Sequence, residues 1–291
     1  METTSSLQLE QYLRAILGRQ GILVGHPVPI KDCILLKEYL LDKNNLSREG
    51  SVIPIAVPYR PDSCENEEIA RNISLYAVSE DYHRFFAALF EKTESFIRTD
   101  FPGVAVKGFA DHSPIAEVHA TALSGIGVVG KNHLLITKEY GSFVFLGEFI
   151  TSLPCPALSS TEVPTCTGCD ACQHACPAGG DMSACLSALS QKKGDLSPLE
   201  EARLIAAGSL WGCDICQLAC PLNRDVQTSR IPFFRENRIA NLTKETLDSL
   251  DEEQFSRRAF SWRGKKVPER NIALFQEAQN TPASSDKDSN E

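Results

Sequence analysis

Cys166-Thr167-Gly168-Cys169-Asp170-Ala171-Cys172-Gln173-His174-Ala175-Cys176-Pro177 sets four cysteines in a C-x2-C-x2-C-x3-C run closed by proline. Three thiolates this close wrap one corner of a cube of iron and sulfide, and the fourth, just before proline, points away to a second cube. A partly separated copy follows: Cys185, then Cys213, Cys216 and Cys220, again closed by a proline, Pro221. The crossover predicts the pairing. One 4Fe–4S cluster takes Cys166, Cys169, Cys172 and Cys220, and the other takes Cys176, Cys185, Cys213 and Cys216. The 28-residue step from Cys185 to Cys213 reads as an insertion carrying a helix around Pro198 to Leu210. A pair of zinc sites is the rival reading, but C-x2-C-x2-C packs three ligands too closely for common zinc ribbons.

Outward from this run the composition changes at Pro154. Nine cysteines lie in the 66 residues from Cys155 to Cys220, whereas the first 154 residues hold only Cys33 and Cys64. The expected fold is therefore an α/β (α+β) front domain over 1–153, followed by a bacterial ferredoxin-like double 4Fe–4S domain over 154–227. A C-terminal helical extension, 228–280, should pack on the core, and the polar tail 281–291 should be disordered. Cys33, Cys64 and Cys155 fall outside the pattern and read as buried or incidental thiols.

The whole chain has 291 residues, 42% hydrophobic and 23% charged, with a formal charge of −9. That balance argues against bulk nucleic-acid binding, so any such contact must be local. No run of 18 apolar residues exists, which predicts no membrane span. Met1 to Glu10 lacks a secretory pattern, so the expected compartment is the cytoplasm, where eleven cysteines would stay reduced rather than form disulfides. The oligomeric expectation is a monomer.

Apolar spacing predicts helices over Leu7–Leu17, Lys31–Leu41 and Asp81–Thr99. The last carries Phe85, Phe86, Leu89, Phe90 and Phe96 as a core face. Strands are expected at 21–25, at 51–57 with Pro54 marking an edge or bulge, and at 103–109. A helix should run over Pro114–Leu123, then a glycine turn over 125–131, then strands at 133–137 and 142–150. The turn is neither a P-loop nor a dinucleotide fingerprint, since its spacing and its place after a helix fit neither. Short helices are expected at 243–250 and 268–279.

Several segments together resemble the epoxyqueuosine reductase family. They are Asp111-His112-Ser113-Pro114-Ile115-Ala116-Glu117, Gly125 to Asn132 (GIGVVGKN), Gly141 to Glu148 (GSFVFLGE), Gly212 to Pro221 (GCDICQLACP) with Asn223-Arg224, and Tyr76-Ala77 with Asp81-Tyr82-His83. The resemblance covers roughly residues 50 to 275. It implies a reductase in which two 4Fe–4S clusters feed electrons to cobalamin, and cobalamin reduces an epoxide on a queuosine precursor in tRNA. Asp111 matches the family's proton donor, a role that burial would assist by raising its pKa toward neutrality. The resemblance also implies that Tyr76, Asp111, Lys131, Asn132, Leu135 and Leu146 contact the corrin.

Asp81-Tyr82-His83 superficially suggests a histidine-ligating cobalamin motif, but Phe86 stands where that motif needs glycine, so His83 reads as a helix residue. The chain departs from the family at Val128, where tryptophan is common, and at Val78, Ser79 and Glu80, where arginines are expected. The helical-repeat domain of the family's longer members is expected to be missing. Between Arg257 and Arg270 lie Arg258, Arg263, Lys265 and Lys266 with Phe260 and Trp262, a mixture suited to stacking on bases and pairing with phosphates. The partners expected are thus tRNA at this segment and an external electron donor of the flavodoxin or ferredoxin class. Two other readings suit the same residues: an iron–sulfur electron carrier docking a partner enzyme, and a cobalamin-dependent reductase of a small organic molecule.

Overall fold

Ser51-Val52-Ile53-Pro54-Ile55-Ala56-Val57-Pro58 is buried along its whole length and runs through the middle of an antiparallel sheet. The computed structural model describes residues 5–62 and 71–280. In chain order the front half holds α1 (Ser6–Leu17), β1 (Leu23–Val24), β2 (Val28–Pro29), α2 (Tyr39–Lys43), β3 (Ser51–Pro58), α3 (Tyr82–Asp100), β4 (Val106–Phe109), α4 (Glu117–Leu123), β5 (Gly127–Val129), β6 (Leu135–Thr137) and β7 (Val144–Thr151). The second half holds only helices, mostly short: α5 (Ala171–Ala175), α6 (Leu186–Ser190), α7 (Pro198–Ala207), α8 (Ile215–Leu218), α9 (Lys244–Ser249), α10 (Glu252–Ser256) and α11 (Lys266–Asn280). Cys64 and the tail from residue 281 lie outside the described residues.

The sheet order is β1-β3-β7-β4, with β2 also on β3. Pro54 is thus in a central strand, not at an edge or bulge. Its carbonyl accepts from Gly25 N at 2.8 Å, on the flank where β1 gives way to β2. In an antiparallel strand the N–H and C=O of one residue point to the same side. The missing N–H therefore faces that break, and the ladder to β7 runs unbroken from Ser51↔Thr151 to Pro58↔Val144.

Side chains alternate across the sheet with period two. Ile53, Ile55, Val57 and Phe149 pack under α1 (Leu9, Leu13, Leu17) and α3 (Phe86, Leu89, Phe90, Ile97). Val52 and Ile150 pack on the other face with Ala120 of α4 and with Val28, Ile30, Leu40 and Leu41. Glycine lets α3 come close: a methyl group at Gly147 would sit 2.6 Å from the Phe86 ring. Asp81 caps α3, accepting from His83 N at 3.0 Å, and so fixes where that helix starts.

Four further expectations are corrected. Lys31–Leu41 is not one helix, and only its end enters α2, because Leu36 N and Lys37 N both donate to Pro114 O and Leu35 bridges to Ile115. The same bridge takes Pro114 out of α4, which begins at Glu117. Within the supposed glycine turn, Gly127–Val129 forms β5, paired with β6. On α3, Phe96 is exposed rather than in the core.

The cores do not respect the expected linear boundaries. Ile231 and Phe234 join the front core under α1 and α3. A third core unites Ile73, Ala77 and Val78 with Leu210, Trp211, Leu242, Leu247, Phe260, Val267 and Ile272.

Candidate active site

α5 and α8, which carry Cys172 and Cys216, pack against each other. Cys166, Cys169, Cys172 and Cys220 line one small hollow with Gly130, Lys131, Asn132 and Ile136. Cys176, Cys185, Cys213 and Cys216 line the wall of a larger open cleft of about 520 Å³, and Cys172 joins them there. The fold thus brings Cys166, Cys169, Cys172 and Cys220 together at the hollow and Cys176, Cys185, Cys213 and Cys216 together at the cleft, with Cys172 lining both. Among the described residues, no three His, Cys, Asp or Glu side chains converge as ligands of a single metal ion. Asn132 stands between the two sets and lines both spaces. Its buried amide nitrogen makes no hydrogen bond to a protein nitrogen or oxygen, and the acceptor it faces is the Cys216 sulfur.

The opposite wall of the cleft comes from the front half: Tyr59, Ser74, Tyr76, Leu134, Ser142, Val144 and Phe145. Buried polar contacts tie the two walls together. The Asp214 carboxylate, between two cysteines, accepts from Arg71 Nη1 at 2.6 Å, Ser74 Oγ at 2.6 Å and Leu75 N at 2.8 Å. Gln217 accepts from Ser142 Oγ at 2.9 Å and from Tyr59 OH at 3.3 Å. Asn223 accepts from Ser142 N at 2.8 Å and donates to Ser142 Oγ at 2.8 Å. Tyr76 accepts from Trp211 Nε1 at 2.9 Å. Sequence reasoning missed Asp214, Gln217, Asn223 and Ser142. The available signal was polar side chains inside a segment otherwise given over to cysteines and apolar residues.

Asp111 sits at positive φ, +59°, at the start of the loop before α4. His83 Nε2 stands 3.0 Å from its Oδ2, and Tyr82 OH donates to the same oxygen. Burial pushes the Asp111 pKa up, but the hydrogen bonds from His83 and Tyr82 outweigh it and hold the carboxyl below its ordinary value. The expectation of an aspartic acid raised toward neutrality is therefore corrected: Asp111 is a carboxylate. Its hydrogen bonds with Asp111 and Asp81 push His83 up to about 10, so the imidazolium is the protonated member.

Asp111 does not line the cleft. It is linked to the cleft wall through Tyr82, whose ring stacks on Phe145 with centroids 4.1 Å apart. His83 likewise faces Asp81 and Asp111 rather than the cleft. Behind the loop, Glu117 is pushed up to about 7 by burial and by the Asp111 charge. Glu148 is pushed well above the carboxylate range, again mainly by burial.

A family model described as "Epoxyqueuosine reductase QueG, DUF1730" matches residues 43–112. Two relatives named epoxyqueuosine reductase, from Bacillus anthracis and Bacillus cereus, are each 31% identical. The match with the first covers 81% of this chain and 67% of the relative, and with the second 80% and 66%. The chain belongs to the epoxyqueuosine reductase family. It spans about two thirds of the length of these relatives. The fold agrees with that of a crystal structure of epoxyqueuosine reductase with an epoxyqueuosine-modified tRNA stem loop. That match has a TM-score of 0.73 at 24% identity and covers 93% of this chain and 81% of the other.

Of the residues that the epoxyqueuosine reductase resemblance assigned to a corrin, Tyr76, Lys131 and Asn132 line the cleft. Lys131 also pairs with Asp170. Leu135 and Leu146 are not among the lining residues. Leu135 is buried, and its neighbour Leu134 lines the cleft, a one-residue offset that changes faces on a strand. On β7, Val144 and Phe145 take the place expected of Leu146.

The basic segment is largely used within the protein. Arg258 is buried and donates to Asn237 O, Arg257 pairs with Glu253, and Arg270 donates to the carbonyls of Lys192 and Gly194. Phe260 is core, not a stacking platform. Trp262 remains exposed, with the Arg263 guanidinium 3.6 Å from its ring centroid.

Proposed function

We propose that this chain reduces an epoxide on a queuosine precursor in tRNA to the corresponding alkene, with release of water. The observation that carries this reading is the cleft itself. Five cysteines stand in one wall, Tyr76 and Phe145 in the other, and Tyr82 behind Phe145 leads to Asp111. Its volume of about 520 Å³ lies in the range of small-molecule and cofactor sites. When bound, two 4Fe–4S clusters and a cobalamin supply the two electrons that the reduction needs. Cys166, Cys169, Cys172 and Cys220 would hold one cluster, and Cys176, Cys185, Cys213 and Cys216 the other. Tyr76, Lys131 and Asn132 would contact the corrin, and the buried Asn132 amide, which faces the Cys216 sulfur, suits a sulfur or corrin acceptor.

Epoxide, two electrons and two protons give an alkene and water. The chain's part is to deliver the protons. The His83 imidazolium and the Tyr82 hydroxyl both bond to Asp111 Oδ2, so the carboxylate can take up a proton as the substrate oxygen gains charge and pass it on. Asp111 suits this role because it is half exposed while its donors are held by Asp81 and the aromatic stack. The tRNA substrate is supported by the fold relative solved with an epoxyqueuosine-modified tRNA stem loop. The exposed Trp262 with Arg263, Lys265 and Lys266 offers the surface to grip it. Electrons would enter from a donor of the flavodoxin or ferredoxin class.

The test uses protein loaded anaerobically with iron, sulfide and cobalamin, a strong reductant, and a tRNA anticodon stem carrying the epoxide. Conversion is expected in the wild type and abolished in Asp111→Ala. Wild-type protein that holds about eight irons and cobalamin yet turns nothing over would overturn the reading.

A further inference from the structure

Glu148 lies in the middle of β7, opposite Pro54 on one side and Phe109 on the other. A carboxyl there is unusual, because the strand is otherwise apolar and the residue is only 1% exposed. Neither Glu148 nor Glu117 has a cationic partner within ion-pair distance among the described residues. An unpaired buried carboxylate is costly, and the usual escape is to keep the proton.

The surroundings show what that proton could do. Ser113 Oγ donates to Glu148 Oε1, and Ser113 is itself 1% exposed. No nitrogen or hydroxyl donor reaches the other oxygen, Oε2, and the Glu148 carboxyl instead meets that of Glu117, the titratable group that acts most strongly on it. Glu117 in turn accepts the backbone N–H of Asp111 at 2.9 Å. Both ends of Asp111-His112-Ser113 are thus fastened to one pair of carboxyls beneath them. Such fastening sets the conformation of Asp111, whose positive φ aspartate tolerates but does not hold as its preferred state.

We propose that Glu148 is a positioning residue of the site: in its protonated form it anchors Ser113 and Glu117, and through Glu117 it holds Asp111 in its left-handed conformation beside His83 and Tyr82. The inference rests on the reading of Asp111 as the proton-transferring residue. Glu148 touches no substrate and reacts with nothing. It supplies an O–H where a carboxylate would put a second negative charge beside Glu117 and near Asp111. The other titratable groups around the pair are the Cys33 thiol on the Glu148 side and Lys37 on the Glu117 side, while His83, Tyr82, Asp81 and Lys37 surround Asp111. Of these Lys37 and the His83 imidazolium are the cations, and Lys37 also contacts His112 at 3.1 Å.

The experiment compares wild type, Glu148→Gln and Glu148→Ala as full chains loaded with both cofactors. A glutamine amide keeps an acceptor for Ser113 and a donor for Glu117, so it mimics the protonated acid, whereas alanine removes both. Hydrogen–deuterium exchange of the segment 110–116 is expected to match wild type in Glu148→Gln and to quicken about tenfold or more in Glu148→Ala. The infrared band of a protonated carboxyl at neutral pH should be lost in Glu148→Gln. Single-turnover epoxide reduction should stay within about threefold of wild type in Glu148→Gln and fall about a hundredfold in Glu148→Ala, with KM little changed.

Exchange in Glu148→Gln as fast as in alanine would overturn the proposal, as would an unchanged infrared band. Should alanine fail to fold, the glutamine arm and the infrared band still decide. Exchange and infrared need no turnover, so an inactive wild type would defeat the proposed function while leaving these readouts to judge Glu148.

Discussion

Beneath α1 and α3 the front sheet is closed by Leu9, Leu13, Leu17, Ile53, Ile55, Val57, Phe86, Phe90 and Phe149, an apolar layer to which the second half adds only Ile231 and Phe234 as buried residues. The segment from Cys166 to Cys220 has for its own core only Leu186, Leu189, Leu196 and Leu204, beside helices of four, five and ten residues. Helices that short are not stable alone, and four leucines do not offset the entropy of ordering some fifty residues. The front half is held by burial. The cysteine-rich segment relies on buried polar contacts to its neighbour and, on the proposed reading, on the clusters its thiols would hold. Stability and redox chemistry are thereby separated: the sheet is the fixed wall, and the cysteines are arranged against it.

This contrast can be broken first at a ligand. Cys213→Ser should lower iron from about eight to about four atoms per chain and loosen the cysteine-rich segment, while the sheet keeps its protection. Iron content together with hydrogen exchange checks both halves. Equal loss of protection in β3 and β7 would show that the two halves are not separable.

Next in size is the tether between them. Asp214→Ala removes the partner of the mostly buried Arg71 and the acceptor for Ser74 and Leu75. Breaking a buried pair from one side costs about 3–5 kcal/mol. Denaturant unfolding should show that loss, and the Tyr76 segment should become mobile. A change under about 1 kcal/mol would mean that the tether is minor.

The smallest effect concerns His83 and pH. Its folded pKa is raised to about 10 from 6.5, so its stabilising contribution is fully present below pH 6.5 and is lost as pH rises through about 10. Asp111 is depressed, so its contribution is present above its ordinary carboxylate pKa and is lost as pH falls through the lower folded value. Both groups are about half exposed, which weakens the effect through solvent screening. The melting temperature of wild type should decline modestly from about pH 7 to about pH 10, and His83→Asn should flatten that slope. An identical slope in the variant would place the titration elsewhere.

The cysteine sets were legible because ligand spacing is a local signal, written within a few residues. So were α1 and α3, whose caps and apolar spacing agree. Lys31–Leu41 misled because its apolar residues follow a helical period, yet Pro114, far along the chain, claims Leu36 N and Lys37 N. Pro54 misled because only the pairing reveals that its bare nitrogen meets the break between β1 and β2. At the site, the sequence pointed to Asp111 but not to its charge, since that depends on His83 and Tyr82 arriving from another helix. Glu148 did carry a local sign, an acid inside an apolar strand, but its partner Glu117 is visible only in the fold.

Tyr76 is encoded in the first third of the chain but is seated by the rest of it. Asn72 bonds to Leu210 and Leu242, Ser74 N donates to Trp211 O, and Ile239 N donates to Val78 O. A chimaera joining this front half to a foreign cysteine-rich module would keep its sheet yet lose the surface that Tyr76 presents. The break in composition at Pro154 is therefore not a seam along which the chain can be recombined, and the two parts are expected to change together through descent.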